Sequence, residues 1–457
     1  MGIAKSQGAA PQISLLRLTW PIFIELFLQV IMGSTDTIML SHISDDAVAA
    51  VGVSNQLVFF TILIFNFVSM GTAVVLSQYL GAGLREQAKI VTTMSIKLNF
   101  IMGLIISIIM VSFKGEFLAF FHLPEHLAGL GKQYLSIVGG TLVIQALLQT
   151  VSSILRANGY TRDAMFVSMF MNVIHLAINS ILIFGLLGFP QLGVKGTAIY
   201  TGISRTVALL VILSIMYKRI PLNIKLKDYL TSDRIQIKKI LKIGIPAASE
   251  QLCYNASQLV ITSMIAVLGA AALTTRVYTQ NVNSYIVLFG LAMGQGTQIL
   301  IGYKVGARDF DGAYRQLLKS LKYSFTLTFG IAVLICFFRE SLLSIFTDNK
   351  EIISMGSKLL LFCFILEPGR TFNLVVISSL RAAGDTTISV KMAVISMWGI
   401  CVPLAYFLGI HLGIGLPGIW IAFIVDEWVR GITMFFRWKS RVWEKKVLVQ
   451  NQVSPTA

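Results

Sequence analysis

The chain has 457 residues, of which 55% are hydrophobic and only 13% charged, where soluble domains carry about 25% charged residues. That shortfall, with a mean hydropathy of +0.77, excludes a soluble enzyme of this length. The net charge of +16 does not point to nucleic acid, because the basic residues are spread between apolar runs and form no single patch.

Apolar runs long enough to cross ~30 Å of hydrocarbon recur along the whole chain. They predict helices over 15–40, 50–80, 91–113, 133–156, 163–186, 193–217, 240–268, 273–305, 317–338, 357–381, 389–409 and 414–437. Turn-forming stretches separate them: Ser41 to Asp46, Gly81-Ala82-Gly83, Leu123-Pro124-Glu125 and Gly188-Phe189-Pro190. The first run contains Glu25 and Asp36 and is read as a full span, not a cleavable signal. The longest polar stretch, about 218–242, is too short for a soluble domain. Cys253, Cys336, Cys363 and Cys401 all lie inside apolar runs without CxxC spacing and read as small core residues.

Most of the 37 basic residues fall in loops on the side of the 218–242 stretch and the two termini; Arg205, Arg370 and Arg430 lie inside spans. Cytoplasmic loops retain positive charge. The expectation is a multi-pass protein of a bacterial plasma (inner) membrane with both termini in the cytoplasm.

An internal repeat runs through the chain at a constant offset of 225 (21 to 246, 25 to 250). Pro21 matches Pro246 and Glu25 matches Glu250. Gly71-Thr72 matches Gly296-Thr297, Gly81-Ala82 matches Gly306-Ala307, and Leu155-Arg156-Ala157 matches Leu380-Arg381-Ala382, with Gly159 and Thr161 matching Gly384 and Thr386. Six helices per repeat give both repeats the same orientation, as in parallel-repeat transporters. The expected fold class is an all-α membrane protein with twelve transmembrane helices in two parallel six-helix lobes around a central cleft. The expected divisions are an N-lobe over 1–217, a basic linker over 218–239, a C-lobe over 240–440 and a tail over 441–457.

A carboxylate deep in hydrocarbon costs ~2.5 kcal/mol or more, so it must face protein or water. Glu25, Gln29, Met32 and Asp36 fall on one stripe of the first helix at 100° per residue. Glu25 and Glu250 are equally readable as residues solvated near helix ends. Asn172, His175 and Asn179 share a face of the fifth helix, either as hydrogen-bonding glue or as partners of Asp36 in a proton or cation site. In the tenth helix Glu367 and Arg370 are i, i+3 neighbours around Pro368-Gly369, readable as a structural ion pair or as substrate-facing. Asp426 and Arg430 on the twelfth read as structural. Ser257 extends a polar face begun by Glu250 and Tyr254, and Tyr254, Tyr278, Tyr285, Met32 and Met293 are candidates to hold apolar cations. Pro21 removes a backbone bond from the first helix and is a candidate hinge. The chain has no P-loop, HExxH, GxSxG or paired-cysteine signature.

Taken together, Trp20-Pro21-Ile22-Phe23-Ile24-Glu25 with Asp36-Thr37-Ile38-Met39-Leu40 resembles the first helix of the multidrug and toxic compound extrusion family. Leu155 to Thr161 and its twin Leu380 to Thr386 resemble that family's repeated loop. Gly193-Val194-Lys195-Gly196 and Gly415-Leu416-Pro417-Gly418 resemble its entries to helices 6 and 12. The resemblance spans essentially the whole chain. It implies antiport: drug-like, cationic and amphipathic molecules leave while protons or sodium enter, with no other cofactor and no catalysis. It also implies that Asp36 takes the coupling ion. The helix 5 asparagine, helix 5 aspartate and helix 6 threonine of the family's N-lobe site appear here as His175, Asn179 and Thr201. One carboxylate is therefore missing, which favours protons over a sodium site; sodium is the only metal expected. Glu250 and Glu367 are the alternative C-lobe ion site, with Arg370 and Tyr254 beside them. The expected partners are small molecules and membrane lipid, with the chain acting as a monomer. A flippase for lipid-linked precursors is the rival of related fold. It calls for extra helices and a strongly cationic cleft. A membrane-embedded enzyme calls for clustered histidines, and here His42, His122, His126, His175 and His411 are dispersed. An ion channel calls for a filter-like loop that the repeat lacks.

Overall fold

The computed structural model describes residues 14–449 apart from 122, 185–187, 189 and 190, with backbone alone for Ser34, Thr37, Ile38, Leu182 and Phe184. His122, Phe189, Pro190 and the tail from Gln450 onward lie outside the described residues. Among the described residues all twelve expected spans are helical: α1 (Leu15–Ser41), α2 (Asp45–Gly81), α3 (Arg85–Ser112), α4 (Glu125–Gly140 and Leu142–Ala157), α5 (Thr161–Phe184), α6 (Gly193–Arg219), α7 (Arg234–Val267), α8 (Ala270–Gly306), α9 (Phe310–Phe337), α10 (Lys350–Leu361 and Cys363–Ala382), α11 (Thr387–His411) and α12 (Leu416–Lys439). Eight single helices and the two bent pairs, α4 and α10, are long and apolar enough to cross a membrane. The remaining two, α7 and α12, are more polar: after four basic residues α7 carries Glu250, Gln251, Asn255 and Gln258, and Asp426, Glu427 and Arg430 sit inside α12.

The structure shifts several ends. Helices α4 and α10 begin earlier than their hydrophobic runs because each starts with a polar amphipathic piece, then bends by 44° and 51°. Helix α7 starts at Arg234, so the linker shrinks and its last residues are helical. What remains contains a 3₁₀ turn, Leu226–Tyr229. There Asp228 accepts from the Lys225 backbone N–H at 2.7 Å and pairs with Lys89 of α3 at 2.9 Å. The Lys225 N–H, then Lys89, hold its carboxyl below the usual carboxylate range. Helix α11 contains two π-helical stretches, Met397–Cys401 and Tyr406–His411.

The repeated Leu-Arg-Ala-x-Gly sequence is a helix terminator in both halves. Gly159 and Gly384 have φ of 85° and 89°, a left-handed conformation that glycine adopts without Cβ strain. Tyr160 N–H bonds the Leu155 carbonyl and Asp385 N–H the Leu380 carbonyl, both at 2.9 Å, which closes each helix with a Schellman motif.

The chain clusters into two compact units. Among the described residues, one gathers Ile24–Leu76 and Leu84–Gly244; the other gathers Ser14–Phe23, Ser77–Gly83 and Ile245–Val449. They are called the N-unit and C-unit here. The unit boundaries therefore fall inside α1 and α7, within three residues of Pro21 and Pro246, although both helices run through their prolines unbroken. In the N-unit, α3 packs on α4 and α5 on α6, and Leu40, Phe65, Met110, Leu135 and Ala198 meet in one core. In the C-unit α10 packs against α8, α9 and α12, with Ile261, Leu359, Leu366 and Trp420 in its core. Cys336, Cys363 and Cys401 are buried, and all four cysteines are free.

Candidate functional site

The N-unit brings Asp36 of α1 to a face of α5. His175 and Asn179 are i, i+4 neighbours, so their side chains leave α5 on one side. Asn179 Nδ2 donates to Asp36 Oδ1 at 3.0 Å, and His175 Nε2 lies 2.6 Å from the same oxygen. An ionised carboxylate has no proton to give, so Nε2 is the donor in that state. His175 is buried and sets its ring edge against Tyr200 of α6, centroids 4.7 Å apart. The Asp36 side chain keeps 19% exposure, enough for water to reach it. Thr201 stays out of this contact and donates to the Thr197 carbonyl at 2.8 Å.

The donors around Asp36 decide what it can hold. Sodium prefers several hard oxygen ligands. Here two N–H groups point at the carboxylate, while Asn179 Oδ1 has no hydrogen-bond partner among the described residues. No group of three or more His, Cys, Asp or Glu side chains suited to a metal occurs among them. Arg205 of α6 also lies within electrostatic range of Asp36 and Tyr134, and its buried Nη1 has no hydrogen-bond partner among the described residues. Tyr134 in turn donates to Asn55 at 2.8 Å. The sequence reading left Arg205 out of the site; the signal was the cost of an arginine placed inside a span.

The helix 1 stripe divides. Glu25 is buried and accepts from Arg156 of α4 at 2.8 Å; Gln29 is exposed and Met32 half-buried. The C-unit repeats this pairing in Glu250 and Arg381, at 2.6 Å. The two residues before the Schellman glycines are thus preceded by arginines that tie the fourth helix of each repeat to the first.

Glu367 belongs to a different group from Glu250. Arg370 pairs with Glu367 at 2.8 Å and with Glu427 at 3.2 Å; Arg430 pairs with Glu427 at 3.2 Å and with Asp426 at 2.7 Å. Asn373 donates to Glu427 at 2.8 Å and Ser396 to Asp426 at 2.6 Å. The result is a ladder of three carboxylates and two guanidiniums joining α10, α11 and α12, with Tyr254 of α7 within electrostatic range. Each buried charge is paired, as burial demands. One carboxylate remains in surplus. Glu427 escaped the sequence reading although Arg430 is its i, i+3 neighbour; its links to Arg370 and Asn373 are remote in sequence. Glu250 and Glu367 bind different arginines, so the structure does not assemble the two into one ion site. Met293 is fully buried, and the half-buried Tyr278 stacks one face on Phe346.

Three comparisons bear on this arrangement. The MatE family model matches residues 21–181 and 246–407. The chain is 49% identical over 443 residues, 97% of each chain, to the uncharacterized transporter YisQ of Bacillus subtilis (strain 168). It is 27% identical over 444 residues to the probable multidrug resistance protein NorM of Thermotoga maritima, covering 96% of this chain and 94% of that one. Among solved structures, a MATE in the bent conformation superimposes with a TM-score of 0.86 at 23% identity, covering 94% of this chain and 96% of the other.

Proposed function

The chain belongs to the MatE family of membrane transporters, and from that premise we propose that it exports amphipathic organic cations in exchange for protons. Members of this family are transporters and not enzymes. The observation that carries the proton reading is the contact of His175 Nε2 and Asn179 Nδ2 with one oxygen of Asp36. A proton needs only that carboxylate. Sodium prefers several hard oxygen ligands, whereas two N–H groups face this carboxylate, and the ion must also approach Arg205.

In the cycle, deprotonated Asp36 attracts a cationic substrate. A proton arriving from outside removes that charge and favours release. The ion gradient biases the two facing states only because protons bind them unequally. The distribution of basic residues supports an orientation with both termini and the linker in the cytoplasm.

The test is dye efflux from proteoliposomes under an imposed proton gradient and, separately, a sodium gradient. Wild type is expected to respond to the proton gradient, and Asp36→Asn at equal incorporation to lose uphill export. Export driven by sodium alone and surviving Asp36→Asn would overturn the assignment.

A further inference from the structure

At the end of the C-unit where α9 gives way to α10, a surface cavity of ≈ 390 Å³ is lined by Arg339, Lys350 and Lys358, with the hydroxyls of Ser354 and Ser357 and one carboxylate, Glu340. Arg339 is fixed there. Its Nε donates to Ser357 Oγ at 2.8 Å and its Nη1 to the Cys336 carbonyl at 2.9 Å. None of the three cations forms an ion pair among the described residues. Asp348 and Glu351 flank Lys350 in sequence but do not line the cavity. Around it, Phe337, Phe338 and Leu361 are exposed, which places the opening where apolar side chains meet hydrocarbon and charged ones meet headgroups.

This is the end of the helices remote from the basic linker, where the chain carries few basic residues. Cations at that end run against retention of positive charge and call for a counter-anion. The N-unit repeats the arrangement independently. Lys114 follows α3 as Arg339 follows α9, an offset of 225. Its Nζ donates to Ser136 Oγ at 2.7 Å, and Lys132 Nζ lies 3.8 Å from where a Cβ on Gly115 would stand. Basic side chains beside a serine at the same helix junction of both repeats are a built feature.

We propose that the C-unit cavity seats the phosphate of an anionic membrane phospholipid, with its acyl chains against the exposed phenylalanines. A guanidinium and two ammonium groups around one phosphodiester give charge-assisted hydrogen bonds. A zwitterionic lipid brings its own cation into the same basic pocket and fits less well. The site stands apart from the transport reading, since no residue of it belongs to the Asp36 contact or to the ladder.

The experiment uses the purified full-length chain in nanodiscs of phosphatidylglycerol or phosphatidylcholine, with retained lipid counted by native mass spectrometry. Wild type is expected to keep phosphatidylglycerol in preference to phosphatidylcholine. Arg339→Gln with Lys350→Gln and Lys358→Gln is expected to lose that preference, and Lys358→Gln alone, on an exposed position, to weaken retention about fivefold. A control with Lys319→Gln, Lys322→Gln and Lys391→Gln removes the same charge elsewhere and is expected to keep it. Equal retention by wild type and the Lys358→Gln chain, or equal loss in the control, overturns the proposal. Displacement of the lipid by millimolar inorganic phosphate reassigns the cavity to a free ion and also overturns it.

Discussion

Glu427→Gln tests whether the carboxylate ladder holds the C-unit together. Glu427 is buried and receives Arg370 at 3.2 Å, Arg430 at 3.2 Å and Asn373 at 2.8 Å. Glutamine keeps the shape but exchanges an accepting oxygen for a donating nitrogen, so a donor then faces a donor. Complete loss of a partner from a buried pair costs about 3–5 kcal/mol. Here Arg370 retains Glu367 and Arg430 retains Asp426, which moderates the damage. Losing one or two charge-assisted hydrogen bonds, at about 1.5–3 kcal/mol each, puts the cost near 3 kcal/mol. At about 2–4 °C per kcal/mol for a unit of this size, the melting midpoint is expected to fall by roughly 10 °C. The assay is thermal unfolding in detergent with a thiol-reactive fluorophore, because the buried cysteines Cys336, Cys363 and Cys401 become reactive as the C-unit opens. A midpoint within about 2 °C of wild type would refute the reasoning. Glu25→Gln is the comparison: it weakens a contact to one guanidinium, Arg156 at 2.8 Å, where Glu427→Gln weakens contacts to two, Arg370 and Arg430, so the shift is expected to be smaller.

Gly306→Ala is expected to destabilise by about 1–3 kcal/mol, since a Cβ there would run into the Gln78 carbonyl; Gly52→Ala meets nothing within 4 Å and is expected to be neutral in the same melt. His175→Gln keeps Asp36 and a donor for it, so acidification is expected to go on releasing bound dye; loss of release in this variant would show that the Asp36 carboxylate alone does not carry the response. Because Asp228 has its carboxyl held low, its contribution to the linker turn is complete above the usual carboxylate range, about pH 4, and is lost as pH falls through its lower folded value. Proteolysis of the linker is expected to rise only below that range, and Asp228→Asn to show the same cleavage at neutral pH. A cysteine at Lys227 is expected to resist an impermeant label applied outside intact cells, and labelling from outside would reverse the topology.

Much of the fold was legible because hydrocarbon imposes one rule on every span. The repeat was legible because glycines and arginines at a helix terminator tolerate few replacements, as Gly159 and Gly384 illustrate. Helix ends were less so: the polar first pieces of α4 and α10 carry no membrane signature, and the basic opening of α7 reads as linker until its packing is known. For the site, the pairing of Asp36 with His175 and Asn179 followed from face arguments within single helices, together with a family resemblance. Arg156 with Glu25 and Glu427 with Arg370 did not follow. Such partners lie many residues apart, and periodicity within one helix says nothing about which remote side chain fills the space beside it.

The surplus carboxylate of the ladder has a counterpart worth setting beside it. Matching Gly193 and Gly196 with Gly415 and Gly418 aligns α6 with α12 at an offset of 222. That alignment places Arg205 opposite Glu427: corresponding turns of corresponding helices, with opposite sign. Two halves that began as copies have drifted into contrary polarity at this position, with Glu427 inside a ladder of three carboxylates and Arg205 within electrostatic range of Asp36. Redundancy is the usual legacy of duplication, yet these halves have lost it. Neither can stand in for the other, so damage to either is exposed to selection at once, and exchanging them by permuting the chain would not restore the same molecule.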